Sequence, residues 1–221
     1  MNYHRIVIKK ILKGRVRYFP GINKIHLRSA KLNLGNSILY RSKIDCRGKD
    51  NSIQIGDECN LKHCIIHIVG NNNKIIIHNY VKINYGEFWI EGDNNTIIVG
   101  EKTYIAGKTH LACTEGKSIT IGEDCLFSTD VVVRTGDSHS ILDNSGKRIN
   151  PALSVAIGNH VWIGNRAIIC KGTSIPDNCI IGTAAVLTKP FEVSNAVYAG
   201  VPAKAIKTNV NWDIKRISID E

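Results

Sequence analysis

The chain has 221 residues, 43% of them hydrophobic and 22% charged, which suits one globular unit and does not require two. Aromatic residues are scarce at 6%, so a core must be filled by Ile, Val, Leu and small side chains, which favours a stacked coil over a sandwich. Seven cysteines without a CxxC pair do not describe a secreted disulfide framework, and no stretch reaches transmembrane length.

The opening phrase MNYHRIVIKKILKGR breaks each apolar run with a base and lacks the apolar region of a signal peptide. A cytoplasmic chain with reduced thiols is expected. The formal charge is +10, and it is concentrated early: residues 1–50 hold thirteen Lys and Arg against Asp45 and Asp50. Residues 1–47 read as a basic segment that caps or begins the coil. Its expected partner is an anionic glycan or, by peripheral association, a membrane surface, rather than nucleic acid. A solvated face that merely keeps the chain soluble is the plain alternative.

Next in the chain come Gly48, Gly70, Gly92 and Gly116, each opening a similar phrase: GKDNSIQI, GNNNKIII, GDNNTIIV and GKSITI. Gly, Asn and Asp tolerate left-handed backbone, and the alternating Ile that follows is strand chemistry. One turn plus strands, recurring at about 22 residues, predicts stacked rungs.

Further on the beat shortens. Ile157, Ile163, Ile169, Ile175 and Ile181 occupy every sixth position, commonly followed by a turn-tolerant residue. Six residues fit one short strand and a corner, so three units make a triangular rung with its isoleucines inside. The fifth slot of each unit holds Cys59, Thr103, Cys125, Val161, Ala167, Thr173, Cys179 or Ala185, all small enough for a crowded inward corner. These cysteines are therefore expected to be packing residues. The repeat unit spans 48–204, and 205–221 is read as a C-terminal tail.

Between Val133 and Ile157 the beat fails, because the inward slots would fall on His139, Ser145 and Pro151. That is a poor core, so about 136–154 is expected to leave the coil as a loop, with Gly136 and DNSG supplying its turns. Loops of this length in a compact repeat are usually functional or disordered. A neutral imidazole at His139 can take a proton from a hydroxyl at cellular pH, although a lone surface His is ordinarily inert. In HVWIG, Val161 and Ile163 point inward, so alternation sends Trp162 outward, where a ligand or a second subunit would cover it. Lys189, Lys204 and Lys207 gather near the end of the coil.

Two signals are set aside. EGKS at Glu115–Ser118 lacks the glycine that a phosphate-binding loop needs at position 111, where Leu stands. His63, His67, His78 and His110 share no repeat slot, so no metal is expected.

These phrases together resemble the hexapeptide-repeat acyltransferases, whose fold is an all-β, left-handed parallel β-helix. The hand comes from the resemblance alone, since parallel crossovers ordinarily favour the right. RTGDSHSI, followed by INP and HVWIG, is similar to the capsular and surface polysaccharide O-acetyltransferases. The resemblance implies that His139 is the catalytic base and that Trp162 lies beside the thioester and pantetheine arm of acetyl-CoA. It makes Gly164, Asn165, Thr183, Ala185, Thr188, Lys189, Lys204 and Lys207 the candidate CoA contacts. It also implies a homotrimer with an intersubunit donor cleft and a polysaccharide or sugar acceptor. KPFEVS departs from the family's usual phrase after Lys189. Asp137 or Asp143 would orient the imidazole, and His139 would meet Trp162 of its own chain or of a neighbour. The alternatives carried forward are an N-acetyltransferase acting on an amino sugar and a non-catalytic glycan-binding or membrane-binding scaffold.

Overall fold

The computed structural model describes residues 22–219, and every helix or strand within them is a strand. The chain visits three sheets in rotation. Lys43–Arg47 lies in the first sheet, Ser52–Ile55 in the second and Asn60–Lys62 in the third. Ile65–Val69 then opens the next rung by pairing in parallel with Lys43–Arg47. The sheets hold eight, seven and nine strands. Parallel pairing holds throughout until Ala196–Gly200 meets Ala203–Thr208 in antiparallel register and closes the end of the coil.

The interior is a set of vertical columns. On the first sheet Ile44, Ile66, Phe88, Leu111, Val133, Ile169 and Leu187 stand one above another, and all are buried. The isoleucines at 157, 163, 169, 175 and 181 and every small fifth-slot residue are likewise buried. Burying one such aliphatic side chain contributes about 1.5–3 kcal/mol against the entropy of ordering it. Stacking apolar residues in register is therefore the force that holds the rungs together.

The two sequence rhythms belong to one kind of rung. From the first sheet to the second, Ile66 to Ile77 takes eleven residues low in the coil, whereas Ile169 to Ile175 takes six near its end. The difference lies at the edge between those sheets, here called the long edge, which carries the Gly and Asn phrases. Gly48 and Gly70 have φ of 116° and 131° there, and a Cβ on either would overlap a carbonyl oxygen of the rung above, so only glycine fits. Inside the same edge, Asn51, Asn73 and Asn95 form a buried ladder. Asn73 N donates to Asn51 Oδ1 at 2.9 Å, Asn95 N donates to Asn73 Oδ1 at 2.8 Å, and Asn73 Nδ2 donates to Gly92 O at 2.9 Å.

The coil is already running at Lys24–His26, so rungs form within 1–47, and Ala203–Thr208 crosses the 204/205 boundary. The continuous antiparallel pairing explains the second point, since a strand cannot end where its partner still offers hydrogen bonds. Residues 1–21, which hold six of the thirteen early bases, lie outside the described residues. Among the described residues no helix is long and apolar enough to cross a membrane.

Asn73→Ala leaves the Asn95 N–H and the Gly92 carbonyl without their buried partner. The expected loss is about 2–3 kcal/mol of unfolding free energy, read from urea unfolding at unchanged m-value.

Candidate active site

The excursion at 136–154 is inserted at the long edge. Strand Val131–Arg134 of the first sheet precedes it, strand Val155–Ile157 of the second follows it, and Val133 pairs directly with Ile169 across it. Gly136 opens the excursion because a Cβ there would meet the Thr114 methyl at 2.7 Å. Leu153 N donates to Thr135 O at 2.8 Å where the chain returns. The segment is therefore a closed loop pinned at its neck.

Its body is clamped to the rungs on both sides. Arg148 pairs with Glu115 below, whose other oxygen accepts from Ala152 N at 3.1 Å. Lys171 pairs with Asp137 above. The central residue is Asn150, the middle residue of the INP phrase. Asn150 is 6% exposed. Its Nδ2 donates to Asp137 Oδ2 and to His139 O, both at 2.8 Å, and its Oδ1 accepts from Ile141 N at 2.8 Å and from Arg148 Nε at 3.1 Å. One amide thus holds the His139 backbone while its imidazole stands exposed. Ser138, with φ of 66°, turns the chain just before it, and Arg134 Nη1 donates to Ser138 Oγ at 3.3 Å.

Neither candidate orienting carboxylate is turned to this ring. Asp137 is held below the usual carboxylate range first by Lys171 and then by Asn150. Asp143 is spent on its own turn, accepting from Ser145 N, Ser145 Oγ and Lys147 N. Position is supplied by the backbone clamp instead.

Trp162 stands on the outer face of the third sheet, 38% exposed, with its Nε1 only 3.4 Å from Ser128 Oγ. Gly164, Asn165, Thr183 and Ala185 sit where the third sheet turns into the first. Asn165 and Thr183 are exposed. Gly164 is buried against the Ile181 carbonyl. Ala185 is fully buried, its N–H donates to Gly182 O and its carbonyl accepts from Ile168 N, so its methyl belongs to the core and presents nothing to a ligand. Lys204 and Lys207 are exposed on the last strand of the third sheet, which joins them to Trp162 on one surface. Thr188 and Lys189 are exposed too, but they follow Val186–Leu187 of the first sheet and so lie toward the long edge, with His139.

The candidates therefore divide. His139, Thr188 and Lys189 belong to the long edge between the first and second sheets. Trp162, Asn165, Thr183, Lys204 and Lys207 belong to the third sheet and its border, with the aliphatic core between. Each anchor of the loop, whether Glu115, Thr135 or Lys171, also lies at the long edge, so the loop does not wrap round to Trp162.

The buried cysteines offer no competing nucleophile. Burial pushes the Cys125 thiol up to about 12, and that side chain is 2% exposed. Among the described residues no group of His, Cys, Asp and Glu could hold a metal ion. His63 instead stacks on Tyr85 at 4.5 Å, His67 stacks on Trp89 at 4.1 Å and His110 bonds Glu87 at 3.0 Å.

A three-sided parallel coil of six-residue phrases, interrupted by one histidine-bearing loop, defines a hexapeptide-repeat acyltransferase. Residues 154–189 match the family model described as the hexapeptide repeat of succinyl-transferase. A polysialic acid O-acetyltransferase of Neisseria meningitidis is 34% identical over 180 residues, covering 81% of this chain and 83% of that protein. Another of the same name, from Escherichia coli O1:K1 / APEC, is 36% identical over 129 residues, covering 56% of this chain but only 41% of that protein. A crystal structure of the polysialic acid O-acetyltransferase OatWY superposes with a TM-score of 0.72 at 32% identity, covering 88% of this chain and 89% of that one. The chain belongs to the hexapeptide-repeat O-acetyltransferase family; its coil is the family's left-handed β-helix, and it is an acyltransferase.

The loop clamps carry a pH signature. Arg148 and then the Ala152 N–H hold Glu115 low, as Lys171 and Asn150 hold Asp137 low. A depressed folded-state pKa stabilises above the unfolded value and is lost as pH falls through the folded one. The loop should therefore stay clamped down to about pH 4 and release below it. Pepsin cleavage within 136–154 should begin only there, before the circular dichroism of the coil changes.

Proposed function

We propose that this chain moves acetyl from acetyl-CoA to a hydroxyl of a surface polysaccharide or its sugar precursor by direct transfer. The observation that carries the reading is the exposed imidazole of His139 on a loop pinned at its neck and held through Asn150. His139 takes the proton of the acceptor hydroxyl as its oxygen attacks the thioester carbonyl. A backbone amide stabilises the oxyanion, the C–S bond then breaks, and the proton passes from the imidazolium to the departing CoA thiolate. The buried Cys125 argues for direct transfer over an acyl-enzyme. Two named relatives act on polysialic acid, which makes an acidic glycan polymer the first acceptor to assay.

Trp162 with Lys204 and Lys207 holds the donor on the third sheet. Because His139 emerges on the far side of the same prism, a complete site takes its base from one copy and its donor face from a neighbour, which a cyclic homotrimer supplies. Thr188 and Lys189 then approach the donor from the neighbour that contributes His139. The reaction is placed in the cytoplasm, where acetyl-CoA is made. The basic residues before Lys24 would bring the assembly to an anionic glycan or membrane surface.

His139→Ala should lower acetyl transfer by a factor on the order of 100 to 10,000 with CoA affinity retained. Thiol release in the presence of glycan fragments is the assay, and normal turnover would remove the base. Equal mixing of His139→Ala and Trp162→Ala chains, refolded together, should restore about a quarter of wild-type activity by random assortment. A site built within one chain would restore none.

A further inference from the structure

The chain beyond the last strand doubles back onto the third sheet. Val210 N donates to Asn195 O at 3.0 Å, after which Trp212 lies flat on His160, ring centroids 4.2 Å apart at 9°. Trp212 Nε1 donates to His160 O at 2.8 Å, while His160 Nε2 is 3.0 Å from Trp212 O and its Nδ1 is 2.8 Å from Asp124 Oδ2. The Val210 and Trp212 hydrogen bonds and the ring stack tie this segment to the sheet although it lies past the last strand.

The anchorage builds a hollow. Trp212 meets Trp162 in a tilted contact, centroids 6.2 Å apart at 46°, so the two indoles form one continuous aromatic surface. A cavity of about 210 Å³ lies beside them, lined by Leu126, Trp162, Trp212, Asp213, Ile214, Lys215 and Arg216, two cations against one carboxylate. A second cavity of about 190 Å³ adjoins it through Leu126, Trp212, Asp213 and Ile214 and reaches Lys102 and Tyr104. Trp162, Ile180, Val197 and Lys207 stack in one outward column, so Lys207 stands about 14 Å from Trp162 at ordinary strand spacing. The ligand that fits is thin and partly apolar where the indoles stand and anionic where Lys215, Arg216 and Lys207 stand.

We infer that residues 210–216 form a wall of the donor site. Trp212 extends the aromatic face of Trp162 along which the pantetheine arm of CoA lies, and Lys215 and Arg216 pair with its phosphates. The inference rests on the donor reading above and adds a second aromatic wall and two cations to it. The Asp124–His160 pair acts as a positioning device that sets the Trp212 ring.

The test is calorimetric titration of full-length protein with CoA. Trp212→Ala should weaken binding about tenfold, Trp212→Phe should recover most of the loss, and kcat at saturating acetyl-CoA should change little. Lys215→Ala/Arg216→Ala should weaken binding several-fold and flatten its salt dependence. These two side chains are exposed, so that variant decides the matter if Trp212→Ala does not fold. Unchanged CoA affinity in both variants overturns the inference. So does a Trp212→Ala chain that loses oligomeric mass while its CoA affinity stays the same, since the segment would then be a subunit contact. Failure of the unaltered chain to bind CoA sinks the donor reading itself, and is distinguishable because it arises before any substitution.

Discussion

Closure of each rung onto the one below is the constraint on which the rest depends. An aliphatic side chain is buried only if the chain returns, after one circuit, to the same lateral position, and a one-residue error would turn that side chain to solvent. The corners absorb this demand. Glu58, Tyr80, Lys102, Asp124, His160 and Asn178, one per rung at a single edge, all adopt positive φ. Left-handed backbone costs a non-glycine residue about 1–2 kcal/mol. It is offset because each corner N–H reaches the rung beneath, as His160 N does to Glu123 O at 2.7 Å.

The same constraint explains where irregularity is permitted. At the long edge the chain leaves the first sheet and re-enters the second, and the number of residues spent between them does not disturb the inward columns. Low rungs use the freedom for a buried asparagine ladder, the upper rungs omit it, and one rung spends it on a loop. That rung places its titratable ring outside an unbroken stack, with Val133 still paired to Ile169. Precision comes from the coil and exposure from the excursion, the combination an acid–base group needs.

Legibility in the sequence followed periodicity. Ile157 through Ile181, the small fifth slots and the bounds of the loop were all readable, because each is a statement about one residue's inward or outward direction. The 22-residue and six-residue rhythms do not declare themselves as one kind of rung, since spacing alone does not reveal that the additional residues collect at one edge. Side-chain ties between distant residues were not readable. Asn150 was visible only as part of INP, and nothing local says that it holds the His139 carbonyl. The turn-like phrase around Ala185 hides that its methyl is buried and that its N–H and carbonyl are already bonded within the coil. Trp212 fell beyond the last repeat, and its only sequence signal was rarity, as one of three tryptophans. The division of His139 from Trp162 follows from topology, which a linear pattern does not encode.

A solenoid of parallel strands leaves raw peptide groups at each terminus, which invites other molecules to join and grow into fibres. Here the strand Ala203–Thr208 runs counter to all the others, and only its first residue is buried. A further rung arriving from another molecule would meet an edge strand bearing Lys204 and Lys207, and charged side chains on an edge resist pairing. The hairpin thus works as a terminator, limiting how tall the stack can become.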